Sequence, residues 1–154
     1  MVKYVKGNLL DSDCDYICHQ VNCQGVMGSG IAKQIRERWP EVYEEYKAYC
    51  DYCNKHRLSM LGRNVDVPVD DYEKRVINMF SQDNYGYDGK CYTSYDAFCN
   101  CLFDIRRLVR GGTIGFPKNI GCCRGGGNWK IISTMIEEIL GKDYEVYIYE
   151  YDGA

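Results

Sequence analysis

The sequence predicts an α/β fold of three layers, in which a mixed central sheet lies between two layers of helices. Short runs of β-branched and aromatic residues alternate along the chain with segments whose apolar residues recur at helical spacing. With 154 residues, of which 45% are hydrophobic, the chain can build one well-buried core and is too short for two ordinary domains. We therefore expect residues 1–154 to form a single domain.

The first half of the chain begins with two predicted strands and continues with two predicted helices. The runs KYVKG and DYICHQV, at residues 3–7 and 15–21, have the composition of short strands. After them, two sets of apolar residues recur at helical spacing: Ile31, Ile35 and Trp39, and then Val42, Tyr46 and Cys50. Residues 50–74 have the least regular pattern, and we expect them to run over the surface.

The second half of the chain repeats the alternation. Residues 74–81 (KRVINMFS) and 111–117 (GGTIGFP) are predicted to form buried strands. The segment between them is predicted to be a helix whose apolar face carries Tyr95, Phe98, Leu102, Ile105 and Leu108. The chain then continues with a predicted helix (WKIISTMIEEIL) and a final predicted strand (YEVYIYEY).

Composition and charge exclude several classes of function. The formal net charge is -3, and the charges are mixed along the chain without a basic stripe, which argues against general nucleic-acid binding. No apolar stretch approaches the roughly 20 residues that span a bilayer, and the N-terminal segment lacks the apolar centre of a signal peptide. We therefore expect a soluble, cytoplasmic protein that has no membrane partner.

The chain contains ten cysteines, which we expect to be free thiols rather than a disulfide framework. Five of them stand in apolar or glycine-rich runs, where a reduced thiol behaves as a small hydrophobe: Cys18, Cys99, Cys101, Cys122 and Cys123. Cys50 and Cys53, followed by His56, have a spacing found in zinc sites, but a closed zinc site needs four ligands and no second pair exists. We predict no metal site, and we expect Cys50 to pack inward from a helix end.

Two glycine-rich segments share an arrangement that packing alone does not require. Each segment follows a predicted strand and leads into a predicted helix; the two are GVMGSGIAKQI and IGCCRGGGNWKII. Asn128 is a candidate N-cap for the helix that follows the second segment. Unpaired backbone N–H groups at such a helix start can bind an anion, and two loops of this kind can hold the two phosphates of one ligand. Structural turns are the simpler alternative, and neither segment matches a P-loop or a dinucleotide fingerprint.

Four motifs, taken in order along the chain, resemble those of a macro domain. They are VKGNLL, HQVNCQGVMGSGIAKQI, NMFSQDNYG and FPKNIGCCRGGGNWKIISTMIEEI. The resemblance covers nearly the whole chain and is greatest for the small, stand-alone branch that includes ADP-ribose 1″-phosphate phosphatase and terminal ADP-ribose protein glycohydrolase. It implies the three-layer macro-domain fold and a cleft that binds ADP-ribose, without a cofactor.

The resemblance also assigns residues to the parts of ADP-ribose. Gly7-Asn8-Leu9 matches the motif beside adenine, Asn22 matches an asparagine beside the distal ribose, and Tyr149 is either a neighbour of adenine or a sheet-face tyrosine. Segments 27–32 and 120–126 match the loops around the distal ribose and the diphosphate. The ligand-binding residues implied are Asn8, Leu9, Gln20, Asn22, Met27, Gly28, Ser29, Gly30, Ile31, Ala32, Pro117, Ile120, Gly121, Cys122, Cys123, Arg124, Gly125, Gly126, Asn128 and Tyr149.

The catalytic residues expected from the sequence are His19, Asn22 and Asp83. The glycohydrolase branch uses a lysine and an aspartate, but Gly125 stands where that aspartate would be, which argues against a covalent mechanism. We expect His19 to face the distal ribose and to exchange a proton near neutral pH without a large pKa shift, unless it is a structural strand-end histidine. Asp83 could orient water or His19, or could cap a turn.

Three functions remain open from the sequence. The first is hydrolysis of ADP-ribose derivatives at the distal ribose, either of the 1″-phosphate or of an ADP-ribosyl ester. The second is binding of ADP-ribose without turnover, as in a reader domain. The third is binding of another nucleotide in the same cleft. The expected partner is ADP-ribose or a derivative of it, and ADP-ribosylated macromolecules stay open as further partners.

Overall fold

The computed structural model describes residues 1–86, 88–122 and 125–151, which fold around one six-stranded sheet. The strands are β1 Val2–Lys6, β2 Tyr16–Val21, β3 Asn64–Val69, β4 Lys74–Phe80, β5 Thr113–Pro117 and β6 Glu145–Glu150. The helices are α1 Gly30–Arg38, α2 Pro40–His56, α3 Tyr95–Leu108 and α4 Trp129–Ile136. A short 3₁₀ turn follows β1 at Leu9–Asp11, and a π-helical turn extends α4 at Glu137–Gly141.

The sheet is mixed, as predicted, with the strand order β1-β6-β5-β2-β4-β3. All neighbouring strands are parallel except β3, which is antiparallel to β4 at the edge. Because the four inner strands are all parallel, their carboxyl ends meet at one edge of the sheet, where the connecting loops can form a site.

Each face of the sheet is covered by one buried apolar cluster. The first cluster joins Ile17, Val21 and Phe80 to residues of α1 and α2, and the second joins neighbouring residues of the same strands to α3 and α4. Successive strand residues point to opposite faces, so the two clusters lie on opposite sides of the sheet. The predicted three-layer α/β/α architecture is therefore present.

Helix α3 shows how local sequence sets these elements. The Ser94 side chain caps its start by accepting a hydrogen bond from the backbone N–H of Ala97. Of the predicted apolar stripe, Phe98, Leu102 and Ile105 are fully buried, whereas Tyr95 and Leu108 at the ends of the stripe are partly buried. The helical spacing therefore identified the buried face of α3. Its two ends are less buried than its middle, as expected of a helix that crosses a sheet.

The prediction for residues 50–74 was wrong in one respect, because β3 lies within this segment. Its sequence, NVDVPV, contains Pro68, which cannot donate a hydrogen bond to a sheet and so argues against a strand. The strand is at the edge of the sheet, where one side of the backbone needs no partner, so the proline is accommodated. Position in the sheet therefore overrides the local signal.

The cysteines lie mainly in the core. Cys50 packs inward as expected, and so does Cys53. Cys18, Cys99 and Cys101 form no disulfide in the structure, whereas Cys123 lies outside the described residues. Within the described part of the chain, no group of three or more potential ligands is placed to hold a metal ion.

Across the same described ranges, no helix combines the length and the apolar character that crossing a membrane would require.

Candidate ligand-binding cleft

A cleft of ≈ 450 Å³ opens at the carboxyl ends of β2 and β5. Its walls are the segment from the end of β2 to the start of α1, the loop at residues 82–86, and residues 117–121 together with Gly125. A volume of this size is typical of small-molecule sites. Two of these three segments contain the glycine-rich stretches singled out from the sequence, so the structure places both at one cavity.

The first glycine-rich segment lines the cleft with backbone and small side chains. Helix α1 begins at Gly30, whose φ of +60° favours glycine, and Ser29 precedes it without a side-chain capping bond. The N–H groups of a first helical turn have no partner within the helix, so the start of α1 can bind an anion. Seven of the predicted residues line the cleft here: Gln20, Asn22, Gly28, Ser29, Gly30, Ile31 and Ala32.

Asn22 is fixed by a tyrosine on α2 that the sequence did not reveal as part of the site. The Tyr46 hydroxyl lies 2.7 Å from the carbonyl oxygen of Asn22 and 2.9 Å from its Oδ1, and it accepts from the backbone N–H of Val26 at 3.1 Å. Asn22 Nδ2 donates to the Val26 carbonyl at 2.9 Å. Burial raises the pKa of the Tyr46 hydroxyl far above its usual range. A neutral hydroxyl therefore holds the loop.

The second glycine-rich segment is tied to the first by a network of polar side chains. Gln20 Nε2 donates to Gln82 Oε1 at 2.7 Å and to Thr93 Oγ1 at 2.9 Å. Thr93 Oγ1 donates in turn to the Gly121 carbonyl at 2.7 Å. Ser81 Oγ donates to Gln20 Oε1 at 2.6 Å. All three walls of the cleft are joined by these side chains.

Thr93 also supports the second segment through its backbone. The carbonyl oxygen of Gly125 accepts hydrogen bonds from the backbone N–H groups of Tyr92 at 2.6 Å and Thr93 at 2.8 Å. A Cβ added at Gly125 would lie 2.3 Å from Thr93 Oγ1 and 2.6 Å from the Gly121 carbonyl oxygen. Glycine is required at this position because the loop folds closely on its own support, and not only because a ligand approaches it.

The remaining predicted residues of the second segment have mixed positions. Pro117, Ile120, Gly121 and Gly125 line the cleft. Cys122 and Gly126 are outside its lining, and Asn128 instead caps α4 by accepting from the backbone N–H of Lys130, as predicted. Cys123 and Arg124 lie outside the described residues.

His19 contradicts the expectation that it faces the cleft. It is fully buried and is absent from the lining of the cleft. Its Nε2 lies 2.5 Å from Asn78 Oδ1, and burial lowers the pKa of the imidazole to about 4. A neutral, enclosed ring cannot exchange protons with a ligand near neutral pH. The position of His19 explains this, because it lies within β2, a central strand whose two faces are both covered by the core, and not at the end of the strand where the cleft opens.

Five further predicted residues are outside the lining of the cleft. Asn8 caps the 3₁₀ turn by accepting from the backbone N–H of Leu10 at 3.0 Å, while Leu9 and Met27 are buried in the core. Tyr149 is partly buried on β6. Asp83 is exposed, and its carbonyl oxygen accepts from the backbone N–H of Cys23 at 3.0 Å, so its demonstrated contact is structural.

The sequence did not single out several residues that line the cleft: Val21, Val26, Gln82, Tyr85, Gly86, Lys118 and Asn119. Most of them belong to motifs that the sequence did identify, namely NMFSQDNYG and FPKNIG. Among the described lining residues, Tyr85 and Lys118 are the ionisable ones, and neither an imidazole nor a carboxylate is present. Lys118 Nζ donates to Glu150 Oε2 at 2.5 Å, and this contact lowers the pKa of the Glu150 carboxyl.

Comparison with known proteins identifies relatives of similar sequence, although no family model matches the chain. The DNA ADP-ribosyl glycohydrolase of Mycobacterium tuberculosis is 28% identical over 162 residues, which cover 100% of this chain and 43% of that protein. The ADP-ribose 1″-phosphate phosphatase of Scheffersomyces stipitis is 41% identical over 76 residues, which cover 44% of this chain and 43% of that protein. Each alignment therefore spans less than half the length of the relative.

The fold also matches a solved structure along nearly its whole length. The macrodomain of Mycobacterium tuberculosis DarG superposes with a TM-score of 0.78 and 25% sequence identity. The match covers 97% of this chain and 97% of that chain.

Proposed function

We propose that this chain is a macro domain, that its cleft binds ADP-ribose and that the protein hydrolyses ADP-ribose derivatives at the distal ribose. The observation that carries the proposal is the pair of glycine-rich segments, which face one cavity from the carboxyl ends of β2 and β5. Together with the start of α1, they offer backbone donors suited to a diphosphate. The relatives named after ADP-ribosyl and ADP-ribose hydrolysis support the same ligand and reaction.

We propose an orientation for the ligand that follows the order of the strands. The distal ribose lies by Asn22 and Gln82, and the diphosphate lies between Gly28 and Gly121. Adenine extends past Pro117 towards the ends of β6 and β1, since Pro117 is paired in register with Tyr149. In this orientation Asn8 and Tyr149 approach adenine from the margin of the cleft.

The chemistry follows from what the described lining of the cleft contains. Because it presents amides, hydroxyls, backbone groups and a lysine but no imidazole or carboxylate, we propose that a bound water attacks the phosphorus of a 1″-phosphate or the anomeric carbon of an ADP-ribosyl ester. The bond from that atom to the bridging oxygen breaks, the ligand's own oxygen atoms accept the water's proton, and ADP-ribose separates from phosphate or from the carboxylic acid. Asn22 and Gln82 position the water and the ribose, and backbone N–H groups stabilise developing negative charge. Asp83 stays a candidate for orienting water if its loop closes on the ligand.

A reader without turnover is the second candidate function. It is favoured by the same observation, because a cleft whose described lining holds neither an imidazole nor a carboxylate can bind without catalysing. Binding of ADP-ribose is common to both candidates, whereas product formation belongs to one of them.

The test combines binding with turnover. Calorimetry with ADP-ribose should give saturable binding, and no heat at millimolar ligand would overturn the proposal. Separate incubations with ADP-ribose 1″-phosphate, an ADP-ribosylated acidic peptide and an ADP-ribosylated oligonucleotide should then yield phosphate or free ADP-ribose, identified by mass. Tight binding with no product from any substrate would establish the reader instead.

We also propose that the protein acts in the cytoplasm on small ADP-ribose derivatives or ADP-ribosylated macromolecules. Buried thiols such as Cys18 and Cys101 support a reducing compartment. Cell fractionation followed by immunoblotting would test the location, and recovery in a membrane or secreted fraction would contradict it.

A further inference from the structure

Tyr85 brings into the cleft a phenolic hydroxyl that the fold itself does not use. The residue lines the cleft from the loop at residues 82–86, and its side chain is 45% exposed. Within the described part of the chain, the Tyr85 hydroxyl forms no hydrogen bond, whereas the hydroxyls of Tyr46 and Tyr92 do. A polar group that lies in a cleft without a partner is available to a ligand.

Two hydrogen bonds hold this loop beside Asn22, at the end of the cleft proposed for the distal ribose. The Asp83 carbonyl oxygen accepts from the backbone N–H of Cys23 and from Gln24 Nε2, both at 3.0 Å. Cys23 and Gln24 directly follow Asn22 in the chain. The loop that carries Tyr85 is therefore joined to the turn that carries Asn22.

The loop is also braced from within. Gln82 Nε2 donates to the Asn84 carbonyl at 2.7 Å, and Asn84 Oδ1 accepts from the backbone N–H of Tyr85 at 2.8 Å. The backbone of Tyr85 is thus held close to Gln82, which is proposed to lie beside the distal ribose, while the Tyr85 side chain lines the cleft. A group held in this way is positioned before the ligand arrives.

Tyr85 is also the ionisable group best placed to give a proton at the distal ribose. Lys118 is the other ionisable residue among the described lining residues, and its ammonium group contacts Glu150 at the end of β6. That is the end of the cleft proposed for adenine. At the distal-ribose end, the described lining offers Tyr85 and no second ionisable group.

Cleavage of a 1″-phosphate needs a proton donor at this end. When water attacks the phosphorus, the bond to the bridging oxygen breaks and its electron pair goes to that oxygen, which would leave as an alkoxide. An alkoxide is a strong base, so a proton delivered while the bond breaks accelerates the reaction by about 10²- to 10⁴-fold. A carboxylate is a weak base, so an ADP-ribosyl ester can lose its acid without such a donor.

We propose that Tyr85 is a catalytic residue of the phosphatase reaction and that its hydroxyl donates a proton to the bridging oxygen as the bond to phosphorus breaks. The inference rests on the proposed function and deepens it, because it supplies the proton donor for that hydrolysis. A phenol keeps its proton at neutral pH and is a stronger acid than the ribose hydroxyl that forms. The released phosphate carries the proton of the attacking water and returns it to the Tyr85 phenolate, so the enzyme is regenerated.

The experiment compares Tyr85→Phe with the wild type on two substrates that differ in one atom. These are ADP-ribose 1″-phosphate and its analogue with sulfur in place of the bridging oxygen, both under single-turnover conditions. The variant should release phosphate from the oxygen substrate about 10²-fold more slowly or worse. On the sulfur analogue its rate should stay within about threefold of the wild type, because a thiolate leaves without a proton.

Two further measurements separate chemistry from binding. Calorimetry should show that Tyr85→Phe weakens ADP-ribose binding by no more than about tenfold, the size of one neutral hydrogen bond. Hydrolysis of an ADP-ribosylated acidic peptide by this variant should stay within about threefold of the wild type. Tyr72→Phe is the matched control, because Tyr72 is 79% exposed and lies outside the lining of the cleft. It should behave as the wild type on every substrate.

Other results would overturn the inference. Equal losses on the oxygen and sulfur substrates would show that Tyr85 acts through the position of its loop, and an unchanged rate on the oxygen substrate would show that it has no catalytic role. A wild type that hydrolyses only the peptide ester would contradict the role of Tyr85 and leave the proposed function standing. A wild type that binds ADP-ribose but releases no product from any of these substrates would contradict the proposed hydrolysis itself, and the role of Tyr85 with it.

Discussion

At the scale of single residues, the buried pair of His19 and Asn78 makes stability depend on pH. The imidazole has a pKa of about 4 in the folded protein, against 6.5 as its ordinary value. Because the folded pKa is the lower one, this contribution to the free energy of unfolding is complete above pH 6.5 and is lost as the pH falls towards 4. The loss should be about 2 kcal/mol at pH 5.

Urea unfolding of the wild type and of His19→Gln at pH 7.5 and pH 5.0 measures this contribution. The wild type should lose about 2 kcal/mol more than the variant between the two conditions, because glutamine does not titrate. His56→Gln, which changes the exposed second histidine at the end of α2, should keep the wild-type dependence. Identical pH dependence in His19→Gln and the wild type would contradict the prediction.

Gly28 is the residue at which a side chain can block the cleft most selectively. A Cβ built there meets no atom closer than Val26 Cγ1 at 3.5 Å, which is an ordinary contact. Gly28→Val should therefore leave the melting temperature within about 2 °C of the wild type and reduce ADP-ribose affinity at least tenfold, because the added methyl groups occupy the cleft that Gly28 lines. Calorimetry and thermal unfolding provide the two measurements, and unchanged affinity would place the diphosphate elsewhere.

At the scale of elements, Thr93 determines how the second glycine-rich segment is held. Thr93→Val keeps the shape of the side chain but removes the hydroxyl between Gln20 and Gly121. Two hydrogen bonds within the protein, of about 1 kcal/mol each, are lost, so ADP-ribose affinity should fall by up to about thirtyfold as the loop loses its position. Thr93→Ser, which retains the hydroxyl, should restore most of the affinity. Calorimetry on both variants checks this, and equal losses would show that the methyl group matters instead.

Substitutions at the glycines of that segment would be harder to interpret. A Cβ at Gly126, where φ is +69°, would lie 2.4 Å from the Lys90 carbonyl oxygen. The sequence alone suggests that a β-branched residue at Gly125 or Gly126 would block only the ligand. In the structure, a side chain at either glycine would push the second glycine-rich segment away from the residues that hold it. A loss of ADP-ribose binding in such a variant would therefore not show where the diphosphate lies.

At the scale of the whole molecule, the alternation of strands and helices was sufficient to predict the layers and the two loops of the cleft. These features depend on local pattern and on the rule that loops gather at the carboxyl ends of parallel strands. The network of Gln20, Gln82 and Thr93 could not be predicted in this way, because residues more than sixty positions apart form it only after folding. His19 is the opposite case, since the apolar residues around it, Ile17, Cys18 and Val21, already indicated a strand enclosed by the core.

The pairing of the first and last strands also determines how the molecule should resist force. Parallel strands β1 and β6 are joined from Val2–Val146 to Lys6–Glu150, so tension between Met1 and Tyr151 pulls the two strands past each other lengthwise. All hydrogen bonds of the pair then bear the load together and must break nearly at once. Single-molecule pulling through these two residues should require a markedly larger unfolding force than pulling through Met1 and Glu145, which opens the pair one bond at a time. Equal forces for the two attachment geometries would show that mechanical resistance resides elsewhere in the sheet.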